Sequence, residues 1–327
     1  MKKISFLALV LAILVFWESK TVLAAEDLAG FSVAPFFQEV ELVDGQTAAK
    51  FSLEVSNSQD FPVVFRLSVV DFGALNESGG VAFIGSGDGL NNKYGLASWM
   101  SLDRDAIVVS PGEKQAIQGR IENKDSLSPG GHYAAVVMKM ENDNEQATVE
   151  DAVSKISVAP TVAALIFTRK VGGEILGLDL KENNLENNFF GLPEMARLRF
   201  QNTGNVYATP RGTVKMFDPL KREVAKGVIN NESAFILPET FRVFPVSLKE
   251  MSRAFLPGKY VVLTEYRYDG KEDFFTQKQT VFIFPAVAMV FTGIIVIVII
   301  LYLKFSFKKS KKNKQKKDDT GSRAEEK

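Results

Sequence analysis

The stretch FSLEVSNSQDFPVVFRLSVVDF, Phe51 to Phe72, decides the fold, because ARLRFQNTGNVYATPRGTVKMFD, Ala196 to Asp218, repeats its order of features. Each copy reads as a strand, an Asn-led turn at Asn57 or Asn202, and a longer strand. Alternation of apolar and polar residues with period two, rich in β-branched and aromatic side chains, marks half-buried strands. The same alternation runs through Val64–Val69 and Val261–Tyr268. Turn residues punctuate it at Asp44-Gly45, Pro111-Gly112, Pro129-Gly130-Gly131, Asn202-Thr203-Gly204, Pro257-Gly258 and Asp269-Gly270. No stretch before the C-terminal apolar run has the 3.6-residue period of a helix.

A second parallel extends the repeat. Ile107–Met140 matches Ala234–Tyr268, with Pro111 against Pro238 and Pro129-Gly130 against Pro257-Gly258. Two copies of one order of elements predict two like domains. Leu127, Pro129, Gly130 and Tyr133 form a Leu-x-Pro-Gly-x-x-Tyr pattern similar to the tyrosine corner of immunoglobulin-like sandwiches, where the hydroxyl bonds back to backbone. Leu256-Pro257-Gly258-Lys259-Tyr260 is a shortened version. This alignment sets Tyr133 on Tyr260 and His132 on Lys259, so His132 is expected at the surface of the corner. The fold class that follows is all-β: two tandem immunoglobulin-like or pilus-chaperone-like sandwiches, residues 25–172 and 173–278, with the boundary near Gly172-Gly173. The first carries an insertion, residues 73–98, with seven glycines. A long Gly/Asn-rich loop is either a functional surface or an excursion. Residues 142–151, NDNEQATVED, read as a solvated hairpin tip.

The ends of the chain are apolar. Met1-Lys2-Lys3, an apolar run from Ile4 to Trp17 and small residues before Ala25 predict a signal peptide over 1–24. Residues 279–303 hold no charged side chain, and roughly 20 apolar helical residues suffice to cross a bilayer. Eight lysines between Lys304 and Lys317 follow at once, and dense lysine marks the cytoplasmic side. The expectation is a single-pass plasma-membrane protein with its sandwiches outside, its helix in the lipid bilayer and residues 304–327 inside.

Composition narrows the function. The 39 basic and 39 acidic residues balance, but the tail alone holds ten of the basic and four of the acidic ones. The part between is therefore acidic, which argues against nucleic acid, whose binding needs clustered Lys and Arg. The chain has no cysteine and one histidine, so thiol chemistry, the common acyl-transfer triads and His-rich metal sites have little to draw on. Asp88, Asn91 and Asn92 form an oxygen-rich loop without the spacing or terminal Glu of an EF-hand. No metal, cofactor or catalytic residue is expected, and the protein is read as a non-enzyme. Candidate binding residues are Phe36 and Phe37 after Pro35, and Asp88, Asn91 and Asn92 in the insertion. Phe189-Phe190 is a further candidate anchor.

The order of motifs resembles the WxL-interacting proteins of Gram-positive bacteria. It begins with Phe31-x-Val33-x-Pro35, the Asn-turn strand pair, Pro111-Gly112-Glu113 and Pro129-Gly130-Gly131-His132-Tyr133. It ends with Leu237-Pro238-x-x-x-Arg242-x-Phe244-Pro245, Pro257-Gly258-Lys259-Tyr260, the apolar run and the lysine tail. The resemblance implies a peptidoglycan-binding first domain and a second that binds host-derived ligands. Two readings follow. One is a membrane-anchored binding or scaffold protein that contacts cell-wall polymer or another surface protein. The other is a membrane-tethered chaperone that donates an edge strand to a secreted client. Basic residues at the domain cleft would favour the chaperone, and Arg169 and Lys170 lie near the junction.

Overall fold

The computed structural model describes residues 30–84, 93–141, 160–186 and 189–322. The expected signal peptide, the candidates Asp88, Asn91 and Asn92, and the hairpin tip from Asn142 to Asp151 lie outside them.

The first sandwich pairs two sheets. One runs β1 (Phe31–Ala34), β3 (Ala48–Asn57), β8 (Lys114–Glu122), β6 (Met100–Leu102). The other runs β2 (Phe37–Leu42), β10 (Thr161–Lys170), β9 (Gly130–Met140), β4 (Val63–Ala74), with β5 (Val81–Ile84) and β7 (Ala106–Val109) both pairing β4. The second sandwich has a sheet β11 (Leu178–Leu185), β12 (Met195–Asn202), β15 (Phe241–Ser247). Its other sheet runs β16 (Lys249–Glu250), β14 (Glu223–Ile229), β13 (Pro210–Phe217), β17 (Gly258–Tyr268), β18 (Phe275–Ile283). Alternation fills each core: Phe51, Leu53 and Val55 of β3 face Phe65, Ile107 and Ile166, and Leu198 and Phe200 of β12 face Val214 and Tyr260. Gly172 and Gly173 lie in the connection between β10 and β11.

The repeat has a shared hydrogen-bond device. Asn57 Nδ2 donates to the carbonyls of Phe61 (2.8 Å) and Val109 (2.9 Å), and its Oδ1 accepts from Gln59 N (2.9 Å). Asn202 does the same toward Val206 (2.7 Å), Ile236 (2.9 Å) and Gly204 N (2.9 Å). Both side chains are buried, so the bonds satisfy polar groups that would otherwise be costly inside a core.

The corner differs from its expected register. Tyr260 Oη donates to the carbonyl of Leu256, four residues back, at 2.7 Å. In the first sandwich the equivalent residue is His132, whose Nε2 lies 2.8 Å from the carbonyl of Ser128, also four residues back. Pro129-Gly130-x-His132 therefore aligns with Pro257-Gly258-x-Tyr260 without a gap. Gly130 and Gly258 hold positive φ, 116° and 149°, which is why glycine follows proline in both. His132 is buried, not at the surface, and burial pushes its pKa down. One residue along a strand reverses the face, so Tyr133 points out of its sandwich. Its hydroxyl is buried with the Tyr207 amide nearby but outside hydrogen-bond geometry.

Two further expectations shift. Gly73 and Ala74 continue β4, Val81–Ile84 pairs back onto Asp71–Ala74, and Asp71 Oδ1 accepts from the amides of Leu96 and Ala97 at 2.7 Å. The described ends of the insertion are thus built into the sheet. At the other end, Gln279–Ile283 are not membrane helix: they finish β18, with Ile283 opposite Gly258. Freedom from charge there reflects a strand whose Val281 and Ile283 pack into the second core. The helix α1 spans Ala286–Ser322, and its first 20 residues, Ala286–Phe305, are long and apolar enough to cross a membrane.

Tyr133→Phe should leave the melting temperature of the protein unchanged or slightly higher, since the lost hydroxyl has no partner. His132→Ala should cost about 1–3 kcal/mol by removing a bonded buried group. Thermal denaturation of the two variants checks the order, and a loss confined to Tyr133→Phe would restore Tyr133 as the corner residue.

Candidate interface at the joint of the sandwiches

Odd-numbered residues of β10 face away from the core of the first sandwich, and the most buried of them is Phe167. Its ring meets those of Phe235 (4.5 Å between centroids), Phe37 (4.7 Å), Tyr133 (5.0 Å), Tyr207 (5.3 Å) and Phe72 (5.4 Å). Phe235, Tyr207 and Leu237 come from the second sandwich, so this cluster is the joint. Edge-to-face rings are worth about 0.5–1.5 kcal/mol per pair beyond the area they bury.

Polar contacts surround the rings. Gly131 N donates to Asn205 O (2.8 Å), and Asn205 Nδ2 donates to Gly173 O (2.9 Å). The insertion supplies two clamps. Glu77 takes Arg199 in a forked pair (2.6 and 2.7 Å), and its carbonyl accepts from Val243 N (2.8 Å) at the edge of β15. Glu239 takes Lys93 (2.6 Å) and the Tyr94 hydroxyl (2.9 Å). Arg199 holds the Glu77 carboxyl below its usual range, and Lys93, then Tyr94, do the same for Glu239.

Beside the rings lies a cleft of about 310 Å³ lined by Glu39, Glu41, Arg169, Tyr207 and Asp269. Tyr207 donates to Glu39, and burial raises the phenol's pKa, so it acts as a neutral donor. Arg169 pairs with Glu41 at 2.8 Å, and Lys170 Nζ donates to the carbonyls of Lys124 and Leu127, both at 2.8 Å. Neither base that the sequence offered as a carboxylate clamp is free: one is neutralised, the other spent on backbone. Of the aromatic candidates, Phe36 is 73% exposed while Phe37 is a member of the ring cluster. Phe189 and Phe190 are half-exposed at the far end of the second sandwich, next to α1.

One edge of the joint is open. Leu165 N donates to Phe36 O (2.8 Å), and the β2–β10 pairing runs only from Leu165 to Lys170. Backbone groups alternate along a strand, so the N–H and C=O of Ala163 face the same side as those of Leu165. Among the described residues no strand pairs with them there, although β1 passes near β10. The outer face of this edge, Ala163, Leu165, Val137 and Val70, is apolar and partly exposed.

The magnitudes rank the contacts. Exposed ion pairs are worth about 0–1 kcal/mol, whereas truncating a buried Phe costs about 3–5 kcal/mol. Lowered carboxyl pKa values contribute stability that is present above the usual Glu value of ~4.3 and lost as pH falls through the lowered ones. Spin labels on cysteines at Val108 and Val228, one per sandwich, should therefore show a broadened separation in Phe167→Ala at neutral pH. Acidification below about pH 4 should change the separation little. The reverse ranking would mean that the ion pairs, not the rings, hold the joint.

No family model matches the chain, and no curated protein matches it. Solved structures are similar to it at a low level. The chaperone–tip adhesin complex of CFA/I fimbriae biogenesis gives 14% identity and a TM-score of 0.39, covering 79% of this chain and 100% of that one. The chaperone DraB of E. coli gives 12% and 0.35, covering 76% and 95%. The SafB chaperone with the SafA pilin of Salmonella enterica gives 13% and 0.35, covering 78% and 99%. Likeness at this level carries nothing about partners.

Proposed function

We propose that this chain is a membrane-tethered protein that receives an extended segment of another polypeptide at the joint of its two sandwiches. It belongs with the chaperone reading rather than with the wall-binding one. The observation that supports it is the half-open edge of β10. Among the described residues, Val162 to Ala164 of that strand are paired on one side only, while β2 fills the same flank from Leu165 onward. An incoming strand would extend the line of β2, take the N–H and C=O of Ala163, and lay alternate side chains beside Ala163 and Leu165, at the near edge of an apolar face that continues through Val137 to Val70. Main-chain bonds would supply affinity and the apolar face would supply selection.

The cleft supports binding rather than catalysis. Its charged and polar groups are engaged with partners: Arg169 with Glu41, Asp269 with Arg211, and the neutral Tyr207 hydroxyl with Glu39. Both ring nitrogens of His132 face backbone carbonyls, those of Ser128 and Gly95. The reading keeps a protein partner and sets wall polymer aside, because a strand edge recognises an extended run of backbone amides, which a glycan strand lacks and a short stem peptide does not supply.

A photo-crosslinking residue in place of Ala163, in the full-length protein in its own cells, tests the reading. The expected product is a protease-sensitive adduct with a polypeptide, weaker when the crosslinker replaces Lys114 on the opposite sheet. Adducts with glycan, or equal adducts at both positions, would contradict it.

A further inference from the structure

The second sandwich meets α1 through a very short connection. Strand β18 ends at Ile283 and the helix begins at Ala286, so only Phe284 and Pro285 intervene. Three Cα steps reach at most about 11 Å. The connection is also tied down: Phe284 N donates to Phe189 O (2.9 Å) and Ala286 N to Phe190 O (3.0 Å). Ala288, inside the first turn of α1, is itself buried. The helix start and the 189–190 loop therefore share one level.

Strand register places the same end of the sandwich there. Gly258 lies opposite Ile283, Val261 opposite Phe217, and Glu250 opposite Ala225. The loops at this end, with the last residues of β18, carry large apolar side chains that the fold leaves exposed: Phe189 (50%), Phe190 (52%), Leu220 (63%), Met251 (58%), Phe255 (44%) and, on β18, Phe282 (50%). Phe189 stacks on Phe282 with centroids 6.1 Å apart. An apolar ring at one end of a sandwich is costly in water.

We infer that this ring is seated in the headgroup layer of the bilayer that α1 enters, so that the second sandwich rests on the membrane surface instead of swinging from a tether. The inference rests on the reading of Ala286–Phe305 as a span. Twenty helical residues cover about 30 Å, the thickness of the hydrocarbon layer, which puts Ala286 at its boundary. The headgroup layer beyond is roughly 5–8 Å deep. The 189–190 loop, hydrogen-bonded to residues 284 and 286, lies within that depth, and strand register brings the other loops of this end to the same side of the sandwich. Exposed Phe and Leu side chains bury into the boundary between headgroups and acyl chains, as they do on the apolar face of interfacial segments. Lipid is the occupant because the ring is continuous with the lipid-facing surface of α1. The seat fixes the height and orientation of the joint above the bilayer, and hence where a client can reach β10.

The chain has no cysteine, so single nitroxide labels can be placed cleanly. The test uses the full-length protein in phosphatidylglycerol–phosphatidylcholine nanodiscs, with labels at Phe189→Cys, Met251→Cys, Lys271→Cys and Ile297→Cys. Collision with dissolved oxygen and with a water-soluble nickel chelate reports depth. Phe189 and Met251 should be shielded from nickel several-fold relative to Lys271, which sits at the opposite end of β17, and should be shallower than Ile297. Nickel access at Phe189 and Met251 equal to that at Lys271, with Ile297 still deep, would overturn the seat and leave the span standing. Nickel access at Ile297 would overturn the span, and the seat with it.

Discussion

The ring of Phe167 sits on the side of β10 turned away from its own core, and five other rings close on it at 4.5 to 5.4 Å. Two of them, Phe235 and Tyr207, belong to the second sandwich. Without a second layer this face of the sheet would expose a contiguous apolar patch, so the two sandwiches are obliged to meet there. The consequence reaches along the strand. Because Phe37 must also enter the cluster, β2 takes its place beside β10 from Leu165 onward and stops there. Among the described residues, this leaves the edge of β10 at Ala163 without a paired strand.

The insertion acquires a role from the same constraint. Glu77 reaches over the joint to Arg199 and caps Val243 at the edge of β15, while Lys93 and Tyr94 hold Glu239. Each contact is weak at an exposed site. Together they fix how far the second sandwich covers the apolar face, and so how much of Val70, Val137 and Ala163 stays accessible. The buried Tyr133 hydroxyl belongs here too: its ring is needed in the cluster, and its oxygen gains no bond from it.

The repeat was legible because it is written in local chemistry. Alternation, Pro-Gly corners and the two turn asparagines all act within a few residues, and Asn57 and Asn202 make matching bonds in the two copies. The corner was misread because aligning Tyr133 with Tyr260 favours residue identity over spacing, and a one-residue slip turns a strand over. His132 performs the corner bond with a ring nitrogen, which a search for tyrosine passes by. The uncharged run from Gln279 carried no mark of where strand gives way to helix, since Val281 and Ile283 are as apolar in a core as in lipid. The joint was hidden for a different reason. Its partners lie far apart in sequence, and the one local sign was that Ala163, Leu165 and Phe167 alternate with Ala164 and Ile166, making β10 apolar on both faces. Such a strand belongs to a sheet covered on both sides. Arg169 and Lys170 end β10, just before the 171–177 connection, but their pairing with Glu41 and with backbone depends on tertiary contacts that sequence does not reveal.

Amide hydrogen exchange on the full-length protein, alone and bound to the polypeptide captured at position 163, addresses the central claim most directly. The Ala163 amide should exchange quickly in the free protein and become protected in the complex, while the Leu165 amide, already bonded to Phe36, stays protected in both. Protection gained at another edge, with Ala163 unchanged, would contradict the account.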